Sequence, residues 1–363
     1  MIQRLQEERF LGTCQDYASV CSSIMWVPHA LCQPESLIFM QFTLLLLADS
    51  WLAYKTTLVT SLGMYWVTFL QLAYKSGRPF WDVAEISSNG HCLFDFAGPS
   101  DIGFSMTFFW PYVQIMFLAK YYKKPSALVH IILLTLIIIC WVDIYLYSVI
   151  NGMNYIYQLF LGQLSGFCYL VGCLVFDTEV HRYCQKTGFN MRSSRSRKFY
   201  LFFFLLGLFV AVLTYYYSLE GIWNMPQEWI VNANFEEDNC LSDFREAANN
   251  NLGLNQTFDV SAVLFVIVGM IFGWPYALHY FSVLQWKNTS TWKRIVRTVI
   301  GVGVAVGFQT LFDWMVNGTN DIATKYFFGA AFPYFCNSFF IFGLFPVLCA
   351  KVGLVQEESN FVI

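Results

Sequence analysis

Charge is what this sequence has least of. Only 12% of its 363 residues are Asp, Glu, Lys or Arg, against about 25% in a typical soluble domain. A chain so poor in charge cannot dress an ordinary solvated surface. Other absences exclude whole classes. There is no internal repeat, no phosphate-cradling glycine-rich loop and no basic-aromatic patch, so no nucleic-acid partner is expected. No Cys/His spacing reads as a zinc site, and no metal or cofactor is expected. A cleavable signal peptide is not expected either. Met1 to Glu8 is polar and of mixed charge, with no apolar stretch and small-residue cleavage site after it.

What is present is apolar surface. Hydrophobic residues make up 57% and aromatics 19%, with 37 Phe. Several apolar runs reach about 20 residues, the length that crosses a bilayer as a helix. The reading is an all-α polytopic membrane bundle of nine spans, near 37–55, 57–75, 102–119, 126–148, 155–177, 199–218, 259–283, 295–315 and 326–350. A short turn around Lys55 would join the first two as a hairpin. A polar amino-terminal segment covers 1–36, the first span 37–56 and a membrane core 57–218. An acidic loop follows at 219–258, then a three-span part at 259–352 and a tail at 353–363.

The loops set the orientation. Lys55, Lys120, Lys123, Lys124, the basic residues of 178–198, Lys287, Lys293, Arg294, Arg297 and Lys351 fall on one side. They total 15 of the 21 basic residues, with the other 6 opposite. The positive-inside rule makes the rich side cytoplasmic, or matrix in a mitochondrion, and puts the amino terminus on the non-cytoplasmic side. Cys14, Cys21, Cys32, Cys92 and Cys240 share that side and could form disulfides in an oxidising compartment. The sequons at Asn255 and Asn317 also fall there, whereas that at Asn288 falls inside. These features favour an endoplasmic reticulum or secretory membrane, with the mitochondrial inner membrane as the alternative. Glycines 301, 303 and 307 in the eighth span are expected to let another helix pack closely.

Three polar, turn-rich stretches lie at span ends on the non-cytoplasmic side. They are Tyr74–Trp81 with Arg78-Pro79, Cys92–Ile102 with Pro99-Ser100, and Tyr147–Gln158 with Gly152. This arrangement, over roughly residues 57–177, resembles the type 2 phosphatidic acid phosphatase superfamily. Nine spans with an outside amino terminus are similar to its glucose-6-phosphatase branch. The family pattern is K-x-x-x-x-x-x-R-P, then P-S-G-H, then S-R-x-x-x-x-x-H-x-x-x-D. The resemblance implies a six-helix phosphatase-like core. In such enzymes the third-motif His attacks phosphorus, the following acid orients it, the P-S-G-H His protonates the leaving group, and Lys and Arg hold the phosphate oxygens.

Residue by residue, the chemistry is missing. The motif Lys falls on Gln71, the acid-donating His on Ile102, the Arg of the third motif on Ser148, the nucleophile on Asn154 and its supporting acid on Gln158. An amide cannot attack phosphorus, and Ile102 has no proton to give. The resemblance therefore implies a pseudoenzyme, with Arg78, Ser100 and Asn154 as a residual pocket. Its expected role is a structural or accessory subunit among other membrane proteins, holding lipid in the former pocket. The alternatives are a lipid- or sugar-phosphate phosphatase with relocated groups, and a lipid or solute transporter or scramblase. Arg78 also reads as an interfacial anchor or as a partner of Asp82, Glu85 or Asp101.

Overall fold

The computed structural model describes residues 50–83, 95–121, 127–180, 194–223, 254–280, 289–316 and 322–354, with a few isolated positions between and before them. Apart from a two-residue antiparallel ladder, Leu284–Gln285 with Gln356–Glu357, the described secondary structure is helical. The helices are α1 (Ser50–Tyr74), the short α2 (Pro79–Asp82), α3 (Asp101–Tyr121), α4 (Ala127–Ile150), α5 (Ile156–Val175), α6 (Ser194–Trp223), α7 (Leu254–Tyr280) and α8 (Thr291–Val316). The last, α9, is composite. Helical Ile322–Thr324, Phe332–Phe339 and Phe345–Lys351 are separated by π-helical Lys325–Ala331 and Phe340–Leu344.

Five helices among the described residues are long and apolar enough to cross a membrane: Asp101–Ala119, Ile131–Ile150, Ile156–Val175, Thr291–Val316 and Lys325–Lys351. Shorter apolar helices run over Phe204–Tyr216 and Ala262–Trp274. The chain is an integral membrane protein of helices. Its exposed side chains fit that solvent, since α4 alone presents Leu128, Ile131, Leu134, Leu136, Ile138 and Ile139 outward. An apolar face of that extent suits lipid and not water.

One expectation fails at Lys55. The chain does not turn there, because α1 continues without a break from Ser50 to Tyr74. Lys55 is buried and forms an ion pair with Asp177. α1 is also less apolar than the five spans, and its polar residues face inward: Thr56, Thr57, Thr60, Ser61, Thr68 and Gln71 are all buried. Thr57 donates to the Ala53 carbonyl at 2.7 Å and Thr56 to that of Leu52 at 2.8 Å. Such back-bonding satisfies a hydroxyl within its own helix.

The chain divides into two compact units. The first comprises 1–36, 66–172 and 215–257. In it, α3 and α5 touch backbone to backbone. A Cβ on Gly162 would overlap the Ser100 carbonyl oxygen, and one on Gly166 would lie 2.7 Å from the Phe104 oxygen. Beyond this seam Tyr169 packs edge-on against Phe108, with ring centres 4.7 Å apart. Hydrogens in place of side chains are what let two helices come so near.

The second unit comprises 37–65, 173–214 and 258–363. Its seam joins α7 to α9, where a Cβ on Gly273 would lie 2.9 Å from the Phe339 oxygen and 3.0 Å from the Gly343 nitrogen. Tyr54 stacks on Trp274 at 4.8 Å, and the Tyr326 hydroxyl donates to the Ala211 carbonyl at 2.9 Å. The glycines of α8 do not act as expected. Gly303 and Gly307 meet nothing within 4 Å, so the close helix packing lies at 269, 273 and 343 instead.

Candidate functional site

The three polar stretches meet at one end of the first unit, where α1 ends, α3 and α5 begin and α4 ends. α1 stops because Lys75 turns into the left-handed region, φ 47°, a conformation that costs a non-glycine residue about 1–2 kcal/mol. The turn frees Ser76 to bridge the second stretch. The Ala97 amide donates to the Ser76 carbonyl at 3.0 Å, and Ser76 and Gly98 form an isolated antiparallel bridge. The third stretch leaves α4 through Gly152, at φ 61°, where glycine carries no steric penalty.

Arg78 ties the three together. Its Nε donates to the Asp95 carbonyl at 2.8 Å, Nη2 to the Asp95 carboxylate at 2.5 Å and Nη1 to the Met153 carbonyl at 2.9 Å. Arg78 is buried and its charge is met by Asp95. Sequence reasoning had offered Asp82, Glu85 or Asp101 as partners. Asp95 was the one missed, although it lies within the quoted second stretch. Asp82 instead accepts from the Trp229 indole at 2.7 Å and the Tyr155 hydroxyl at 3.2 Å. Trp229, from the acidic loop, lies against Gly77 so closely that a Cβ there would come within 2.8 Å of the ring.

Gln158 closes the cluster. Its Oε1 accepts the Tyr155 amide at 2.8 Å, while Nε2 donates to Ser76 Oγ and to the Gly77 carbonyl, each at 2.8 Å. The Gln158 carbonyl accepts from the Ser100 amide at 3.0 Å. Asn154 donates to the Ala97 carbonyl at 2.9 Å. Ser100 is buried at the start of α3, its Oγ accepting from the Gly103 amide at 3.3 Å.

The remaining candidates stand around this cluster. Ile102 packs with Cys32, Met106 and Ile144 in an apolar group. Gln71 is buried in the last turn of α1. Ser148 is fully buried, and its hydroxyl has no hydrogen-bond partner among the described residues. Asn255 lies in the first turn of α7, while Asn317 lies outside the described residues. Cys32 is a free buried thiol with its sulfur 3.7 Å from that of Met106, not half of a disulfide. Cys14, Cys21, Cys92 and Cys240 lie outside the described residues.

Chemically the arrangement is self-contained. Guanidinium, amides and hydroxyl are spent on carbonyls and on Asp95, and Arg78, Asn154 and Gln158 are each 4% exposed or less. A buried polar group gains most when its partner is supplied by the fold. The fold and the site thus define a helical membrane protein with a buried polar knot at one membrane end. The chain matches no family model, no curated protein and no solved structure.

Proposed function

We propose that this chain is a catalytically inactive member of the phosphatase superfamily, built as nine spans around a six-helix core. In this reading it serves as a structural or accessory subunit of a membrane assembly, with the knot on the non-cytoplasmic side. The observation that carries this is the occupation of Arg78. In a phosphatase such an arginine must hold the phosphate oxygens, whereas here its donors go to Asp95 and Met153. A phosphate arriving would have to displace Asp95, and would meet neither a histidine nucleophile at Asn154 nor an acid at Ile102. Persistence of the turn residues without the chemistry favours a role for the scaffold itself.

The test is the native mass of the protein extracted from its own membrane in mild detergent, with the co-purifying chains identified. A large, defined assembly is expected. A lone species near 42.0 kDa plus detergent would refute the subunit role. Phosphate release from lipid or sugar phosphates that vanishes in Arg78→Ala would refute the inactive reading.

A further inference from the structure

A crevice of about 650 Å³ lies between α3 and α4, apart from the polar knot. Met106, Trp110, Val113 and Phe117 line it from α3, and Ile132, Leu136 and Cys140 from α4, with Cys32 beside them. Its volume is within the roughly 300–1,000 Å³ of small-molecule sites. Gln114 supplies the one side-chain amide or charged group on its wall. Water held in such a space needs two to four polar partners, which this lining does not offer.

We propose that this crevice holds one acyl chain of a membrane phospholipid. Its shape fits. From Met106 to Leu118 the lined face of α3 covers twelve residues, about 18 Å at 1.5 Å per residue. One leaflet is about half of the 30 Å hydrocarbon thickness. Its position fits as well. Both walls belong to membrane-spanning helices, and Phe117, Ile132 and Leu136 are partly exposed at its mouth. Acyl chains are therefore the molecules in contact with the opening. At the inner end the crevice adjoins the packed group of Cys32, Ile102, Met106 and Ile144, which closes it below the knot. Lipid would thus sit between α3 and α4 and not in the former active-site position, which is filled by its own hydrogen bonds. Lipid in this crevice does not require the phosphatase fold.

The test uses the full chain in phosphatidylcholine nanodiscs containing a phosphatidylcholine with a diazirine on its acyl chain. After photolysis, adducts are mapped by peptide mass spectrometry. Adducts at Met106, Val113 and Cys140 should exceed those at Leu134 and Ile138 on the outward face of α4 severalfold. Leu136→Trp, which fills the crevice, should lower the first set severalfold and leave the second unchanged. Val113→Phe replaces it if Leu136→Trp does not elute as a folded protein. Equal labelling of the two faces would overturn the proposal, as would crevice labelling that survives both variants. No labelling of the crevice at all would show that another part of the chain occupies it, and would overturn it equally.

Discussion

The Arg78 guanidinium grips Asp95 twice, through the side-chain carboxylate at 2.5 Å and through the main-chain carbonyl at 2.8 Å. One residue thereby fixes both the charge and the path of the second polar stretch. Breaking a buried pair by removing one partner costs about 3–5 kcal/mol. The Asp95 side chain keeps 23% of its exposure, so Arg78→Ala should fall at the lower end. Arg78→Lys should recover little, because a point ammonium cannot serve three acceptors set by a planar fork. Thermal unfolding in detergent, followed by size-exclusion recovery, checks both.

Gly162→Ala should be among the most damaging conservative changes in the chain. The added carbon would overlap the Ser100 main chain, and backbone on both sides cannot swing away as a side chain can. A loss of about 1–3 kcal/mol is the usual result of overpacking. Gly307→Ala, placed in open space, should raise helix propensity at little cost. The same unfolding assay separates the two.

Restoring an acid at the supporting position should not restore chemistry. Gln158→Glu replaces a donor with an acceptor opposite the Gly77 carbonyl and Ser76 hydroxyl, both at 2.8 Å from the amide nitrogen. Leaving buried groups unpaired costs about 1–3 kcal/mol each. The introduced carboxyl would favour its protonated, donating form, so its pKa should rise. Stability relative to the native chain should then be least impaired in acid, and should fall as pH climbs past the ordinary glutamate value of about 4.3. A pH series of melting temperatures for the two proteins reads this directly.

Cys32 should resist alkylation in the folded protein. Burial is the main cause that pushes its thiol from 9.0 up to about 12, and the thiolate is the reactive form. Iodoacetamide at pH 8 should modify it only after denaturation. The raised value also has a stability consequence. Keeping the thiol neutral contributes fully below pH 9, and that contribution is lost as pH rises towards 12. Labelling of Cys32 in the native state at the rate of a free thiol would contradict the burial.

Turn chemistry was the legible part of the site. Arg78-Pro79, Pro99-Ser100 and Gly152 mark chain ends by local rules, and local rules are visible in one sequence. Pairing across a loop is not. Asp95 stands 17 residues from Arg78, and nothing in the periodicity selects it over nearer acids. Lys55 shows the same limit in the fold. A lone cation between apolar runs reads as a loop, yet a partner on another helix, Asp177, allows it to stay inside. Among the glycines, sequence showed which positions permit close approach but not which of them meet a neighbour. Gly162, Gly269 and Gly273 do, while Gly303 and Gly307 do not.

The two π-helical segments give α9 a property that a uniform helix lacks. The Phe332 amide bonds to the Phe327 carbonyl and the Phe345 amide to that of Phe340, each five residues back. Each segment holds a residue more than α-helical winding would need. Removing one residue from Lys325–Ala331 could therefore relax that stretch into ordinary helix without breaking the rod. Everything after it would then turn by about 100°, carrying Gly343 away from Gly273. In α9 the residue count, as much as residue identity, sets which side of the rod faces α7.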